Sequence, residues 1–192
     1  MNILRIALAA AFLALPAQAD SPQWSIDAAT GVAHHKASGG FCPARLGGLP
    51  RTSQNDIDRR GDAAICAYGR PRQPDAQRIS IQEMPDVPRA ELDATFRKSL
   101  QKRFPGSIFV PEVAAMCQEA LVAEMGGSGA RCMVIRRDGF TAFFGFHIMD
   151  NWSFQPMIVT GGEKGLADEN VRAIGKTFGE LYKVEMQFMM LR

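Results

Sequence analysis

Residues 131–162 read RCMVIRRDGFTAFFGFHIMDNWSFQPMIVTGG, three apolar, aromatic-rich runs interrupted by Asp138-Gly139 and Asp150-Asn151. An Asp-Gly pair between strand-like runs favours a tight hairpin, because the central residues of such a turn reach positive φ. Asp-Asn is a weaker form of the same signal. The stretch therefore predicts a three-stranded antiparallel meander. With two-residue turns, Arg137 pairs with Phe140 and Met149 with Trp152. Paired residues share a face, and faces alternate along each strand. One face then carries Met133, Ile135, Phe140, Phe144, Phe146, Ile148, Met157 and Val159. The other carries Cys132, Val134, Phe143, His147, Met149, Trp152, Phe154 and Ile158. Both are apolar, whereas a sheet wetted on one side alternates apolar and polar residues. The meander is expected to be covered on both faces by helices from elsewhere in the chain.

Three helices are available for this. Asp86-Val87-Pro88 offers a capping Asp and a Pro in the first turn. Leu92, Phe96, Leu100 and Phe104 follow at intervals of four, one apolar stripe that ends at Pro105-Gly106. Residues 112–125, EVAAMCQEALVAEM, are good helix formers set between Pro111 and Gly126-Gly127. A last helix is expected over about residues 166–184, with Val171, Ile174, Phe178 and Leu181 as its packing stripe. Gly175 within it costs about 1 kcal/mol relative to Ala, which points to a close helix–sheet approach. The tail, with Met186, Phe188, Met189, Met190 and Leu191, is apolar enough to be expected to pack on or pair with the sheet.

The first third is loop-rich with short strands. Residues 24–27 and 31–36 read as an opening hairpin, residues 39–50 as a Gly- and Pro-punctuated turn region, and residues 55–62 as an exposed polar turn. Residues 63–68 and 78–84 are strand candidates, the second with Ile79 and Ile81 facing one way and Ser80 and Gln82 the other. The order strand, Phe41-Cys42-Pro43, Leu46-Gly47-Gly48, Arg51, polar turn, a strand with Tyr68, then Ile79-Ser80-Ile81 resembles small exported bacterial proteins of unknown function. The element order is also similar to the PsbP-like α+β architecture, in which an antiparallel sheet lies between helices. The resemblance implies a fold and no activity, and Cys42 before Pro43 departs from the simpler Phe-Pro form of that turn.

Residues 1–19, MNILRIALAAAFLALPAQA, have one Arg, a short apolar run and a small-x-small end at Ala17-Gln18-Ala19, the pattern of a cleaved secretory signal. The apolar run is short for a bilayer span, and no later stretch approaches that length. Residues 20–192 are expected to form a single α+β domain, periplasmic or secreted. With 22 basic and 20 acidic side chains and no runs of like charge, the chain gives no support to nucleic-acid binding. Four cysteines in an exported chain favour two disulfides with three possible connectivities. Cys42–Cys66 and Cys117–Cys132 are preferred because each closes one local loop.

Chemistry-bearing motifs are sparse. His34 and His35 are adjacent and point to opposite faces of any strand, and His147 lies among aromatic residues. No His-x-x-His or Glu-x-x-His spacing supports a zinc site. Ser128 lacks a Gly-x-Ser-x-Gly elbow, residues 160–165 lack phosphate-loop spacing, and Glu83 and Asp86 sit near a turn. The expected function is a non-enzymatic accessory or binding protein for a protein or small-molecule ligand of the cell envelope, with no cofactor. One alternative is a hydrolase-type enzyme whose site is assembled from His147, Ser128 and Glu163. Another is a copper carrier using the thioethers of Met186, Met189 and Met190.

Overall fold

The structure, a computed structural model, describes residues 23–57, 63–69, 77–84, 88–127, 129–149, 151–161 and 163–190. The chain opens with β1 (Trp24–Ile26), β2 (Ala33–His35) and β3 (Phe41–Cys42), which pair in that order as a small antiparallel sheet. Next come β4 (Arg45–Leu46), β5 (Leu49–Asp56), β6 (Ala63–Tyr68) and β7 (Gln77–Glu83). A short 3-10 turn (Arg89–Glu91) leads into α1 (Leu92–Arg103), followed by β8 (Ile108–Phe109) and α2 (Pro111–Met125). The last third comprises β9 (Ala130–Arg137), β10 (Phe140–Met149), β11 (Trp152–Gly161), a 3-10 turn (Glu163–Leu166) and α3 (Asp168–Met190). The main antiparallel sheet has the order β4-β5-β6-β7-β11-β10-β9-β8. β11, the last strand in the chain, pairs with both β10 and β7 and so joins the two halves of the sheet.

The expected register of residues 131–162 is present: Arg137 opposes Phe140, and Met149 opposes Trp152. Gly139 takes φ 83°, the positive value that the Asp-Gly turn demands. Both faces are covered, as the two apolar sets require. On one, α1 lays Phe96 and Leu100 over Phe144 and Phe146, with the Phe96 and Phe146 rings stacked 4.4 Å apart. On the other, α2, α3 and the small sheet share one core with Val134, Phe143, Phe154, Ile79 and Ile81.

Both disulfides belong to this second face. Register places Cys66 beside Ile79, Ile79 beside Pro156, and Gly145 beside Cys132, all in one cross-strand row. Cys42–Cys66 ties the small sheet to one end of that row, and Cys117–Cys132 ties α2 to the other. Gly145, between them, is where α3 descends: a Cβ there would collide with the Tyr182 hydroxyl and come within 3.2 Å of Phe178.

The structure moves several expectations. Gly175 serves a helix–helix contact, not the expected helix–sheet approach. A Cβ on it would run into the Cys117 carbonyl of α2, and one on Gly179 would lie 2.9 Å from the Leu121 carbonyl. The apolar tail does not form a separate segment on the sheet, because α3 continues to Met190. Residues 49–50 and 55–56, expected within two turns, belong instead to the eight-residue strand β5. Its inward positions are Arg51, Gln54 and Asp56, so the apolar alternation that marks a strand is missing. Arg51 instead donates to the carbonyls of Cys42 (2.6 Å) and Gly31 (2.9 Å), and Asp56 accepts from Trp24 Nε1 (2.9 Å). Asp86 and most of the polar segment after β5 lie outside the described residues.

Two stability outcomes follow from these contacts. Helix propensity alone makes Gly175→Ala stabilising by about 1 kcal/mol, but overpacking against α2 costs about 1–3 kcal/mol. A net fall in urea midpoint is therefore expected, and a rise would refute the close α2–α3 contact. Replacing Cys117 and Cys132 together by Ala should cost about 2–5 kcal/mol. Non-reducing peptide mapping of that variant should still recover the Cys42–Cys66 peptide.

Candidate functional site

His147 and Glu185 meet beneath α3. Strand alternation in β10 directs His147 to the disulfide-bearing face, opposite Phe154 and Ala130. In α3, spacing by three and four carries the packing stripe from Ile174 through Phe178 and Leu181 to Glu185, so a carboxyl occupies a core position. His147 Nδ1 and Glu185 Oε2 are 3.3 Å apart, with the two residues only 6% and 4% exposed. The Tyr182 ring lies 5.1 Å from the imidazole, and its buried hydroxyl makes no hydrogen bond among the described residues.

Desolvation sets the electrostatics. Burial raises the Glu185 carboxyl above its ordinary range, and the hydrogen bond with His147 offsets part of that rise. Burial, and then the nearby Glu185 charge, push the Tyr182 phenol well above its usual value. When Glu185 is ionised, His147 donates from Nδ1; when Glu185 is protonated, its O–H donates to an unprotonated Nδ1. Either arrangement fixes the ring and leaves Nε2 for other work.

A Cβ on Gly129 would sit 3.3 Å from His147 Nε2, so the glycine lets the chain lie close to that nitrogen. Around them is a cleft of about 410 Å³ lined by Leu92, Asp93, Gly129, Arg131, Phe146, His147 and Ile148. Arg131 Nε is 3.9 Å from Asp93 Oδ1, with the two side chains 48% and 56% exposed. Such an exposed pair is worth little energetically, and both groups lie at the cleft mouth. The cleft thus combines hydrocarbon, one cation, one anion and an oriented imidazole.

A second imidazole is built into the small sheet. His35 is fully buried while His34 is only partly so, in line with their opposite faces. Ser38 Oγ lies 2.9 Å from His35 Nδ1, and Asp56 Oδ1 lies 3.5 Å from Nε2. The Gly40 N–H donates to Ser38 Oγ, and the Trp24 indole N–H donates to Asp56. Serine, histidine and aspartate are in sequence here, but the serine oxygen already accepts a backbone N–H and His35 is sealed by Trp24 and Trp152. This arrangement clamps the small sheet to β5.

Of the dispersed trio His147, Ser128 and Glu163, the histidine and the glutamate are not brought together. Ser128 lies outside the described residues. Glu163 follows the end of β11 where Gly161 opposes Phe140, seven residues along β10 from His147, or about 23 Å at ~3.3 Å per residue. The acid that does meet His147, Glu185, was legible only as a charged residue continuing an apolar stripe. Glu83 is exposed at the end of β7, and Met186 packs against the core on α3. Among the described residues no group of three or more His, Cys, Asp or Glu side chains is placed to hold a metal ion. The site and fold define a disulfide-linked α+β domain with a buried carboxyl–imidazole pair beside a mixed cleft. No family model, no curated protein and no solved structure matches the chain.

The raised Glu185 carboxyl makes stability depend on pH. An unfolded glutamate releases its proton near pH 4.3, at about its ordinary value, whereas the buried one keeps it to higher pH. The linked stability is therefore complete below that point and is lost as pH rises through the native value. Glu185→Gln stays neutral and escapes this loss. Its urea midpoint relative to wild type should climb steadily as pH is raised from 4 to 7. A pH-independent difference would show that burial does not raise the Glu185 carboxyl.

Proposed function

We propose that this is an exported, disulfide-linked binding protein of the cell envelope whose ligand occupies the His147 cleft. The observation that carries this reading is the imidazole anchored at Nδ1 by buried Glu185 beside a cleft of about 410 Å³. A pocket of that size in which apolar side chains and convergent polar groups share the lining has the make-up of a ligand site. Leu92, Phe146 and Ile148 take hydrocarbon, Arg131 and Asp93 take charged groups, and Nε2 takes a hydrogen bond. Export rests on residues 1–19 and on the two disulfides, which persist in oxidising compartments. Among the described residues no helix is long and apolar enough to cross a membrane. The mature chain begins at Asp20, which intact-mass measurement of the recovered protein checks.

The same pair favours a second reading, a hydrolase-type enzyme. A carboxylate that orients an imidazole through Nδ1 is the support a general base needs. His147 is then the base, Glu185 replaces Glu163 as its orienting acid, and Ser128, next to Gly129 in sequence, is the candidate nucleophile.

One experiment separates the readings. Immobilised wild type, His147→Ala and the surface control Lys176→Ala are exposed to envelope extract of the exporting cell, and all three are screened against a broad panel of hydrolase substrates. The binding reading expects a ligand retained by wild type and Lys176→Ala and reduced at least tenfold by His147→Ala, without turnover. Equal capture by all three removes the cleft from the function. Turnover abolished by His147→Ala establishes the enzyme instead.

A further inference from the structure

Charge is nearly balanced along the chain but not over its surface. Residues 94–111 hold four cations, Arg97, Lys98, Lys102 and Arg103, and no acid. All four fall in the last two turns of α1, within about 9 Å of helix at ~1.5 Å per residue. The helix uses its apolar stripe on the sheet, where Phe96 and Leu100 are buried. The four cations are left exposed on its sides and back.

The sheet adds a fifth. Arg137 pairs with Phe140 and so shares its face, and the Phe140 ring lies 6.4 Å from that of Phe104, at the end of α1. Two of the guanidinium groups are seated on rings: Arg97 Cζ is 4.8 Å from the centroid of Phe109 on β8, and Arg103 Cζ is 5.7 Å from that of Phe104. A ring engages one side of a guanidinium and leaves its N–H rim for oxygen anions, which phosphate matches bidentately. Among the described residues none of the five cations is in an ion pair. Asp138 adjoins Arg137 in the hairpin turn, and Asp93 is engaged with Arg131 near the start of α1. With five of the 22 basic side chains gathered here, the other 17 are outnumbered by 20 acids.

The shape of this surface selects its partner. Peptides are taken up in grooves or along open strand edges. Here the cations stand on the convex back of a helix, and the adjoining edge of β9 is paired with β8, with the Val110 N–H donating to the Val134 carbonyl (3.0 Å). Positive charge on long, flexible stems over a convex surface complements a plane of negative charge. Anionic bilayers present such a plane, and each basic side chain brought to one strengthens partitioning about fivefold.

We propose that this surface docks the protein on a membrane bearing anionic phospholipid. Headgroup phosphates are bound by Arg97 and Arg103, while Lys98, Lys102 and Arg137 meet the surrounding surface charge. The contact is peripheral: α1 stays folded on the sheet, so binding is governed by charge and weakens with salt. The His147 cleft meets α1 at its other end, through Leu92 and Asp93.

The test is sedimentation of the full mature protein with vesicles of phosphatidylcholine, alone or mixed with phosphatidylglycerol. At low salt the mixed vesicles should bind it at least tenfold more tightly than phosphatidylcholine alone, and about 0.5 M NaCl should abolish the difference. Lys98→Glu with Lys102→Glu should weaken binding at least tenfold, and Lys98→Gln with Lys102→Gln by an intermediate factor. Arg172→Glu with Lys176→Glu makes the same change of charge at exposed positions of α3 and should keep binding within about twofold of wild type. His147→Ala should bind vesicles as wild type does, so failure here and failure of the His147 reading are distinguishable. Equal binding to both kinds of vesicle, or to neither, overturns the proposal. Equal loss in the α1 and α3 reversals also overturns it, since net charge and not this surface would then govern binding. Soluble polyglutamate held by the protein without any vesicle binding overturns it in favour of an acidic protein partner.

Discussion

The packing of α3 onto Gly145 is the contact around which the other elements are arranged. With no side chain at that point in β10, Tyr182 and Phe178 can sit directly on the backbone of the central strands. That depth brings Glu185 down to the level of His147 and presses Gly175 and Gly179 against α2. Interiors are packed to crystal-like density, so closeness at one place forces closeness at its neighbours. The two disulfides then act from the ends of the same row. One holds α2, against which α3 leans, and the other holds the small sheet that covers the remaining part of the face.

The next row shows what polar groups do in such a core. It runs from His147 through Phe154, Ile81 and Ala64 to Asp56. Each end is an acid–imidazole contact made by an element that arrives from elsewhere: Glu185 of α3 on His147, and His35 of the small sheet on Asp56. Buried charges need partners, and the two ends find them differently. At Asp56 the indole of Trp24 and the serine beside His35 complete a closed network. At His147 one ring nitrogen is anchored and the other faces a glycine and a cleft. The difference between a clamp and a candidate site lies in the open cleft beside His147.

Much of the fold was readable because it depends on local or short-period signals. Asp138-Gly139 determined a turn, the turn determined a register, and the register sorted two apolar faces that had to be covered. The helix read over residues 112–125 and the Phe96/Leu100 stripe were legible in the same way, through spacing and punctuation. β5 was not, because Arg51 and Asp56 turn inward to hydrogen-bond the small sheet and, with Gln54 between them, leave no apolar period. The reach of α3 was underestimated because its last turns carry apolar residues that read equally well as a packed tail.

What the sequence by itself determined is the meander, its two covered faces and the helical stripes, with a preference among three connectivities for the two local cysteine pairs. These follow from periodicities of two and of three to four residues and from turn chemistry, all of which act within a few residues of chain. The tertiary structure alone decided that Glu185, thirty-eight positions away, meets His147, that Gly175 serves α2 instead of the sheet, and that Glu163 stays at the far end of β10. Those outcomes depend on how deeply one helix settles on one glycine, a distance set by the sum of side-chain volumes across three layers. No spacing along the chain records it.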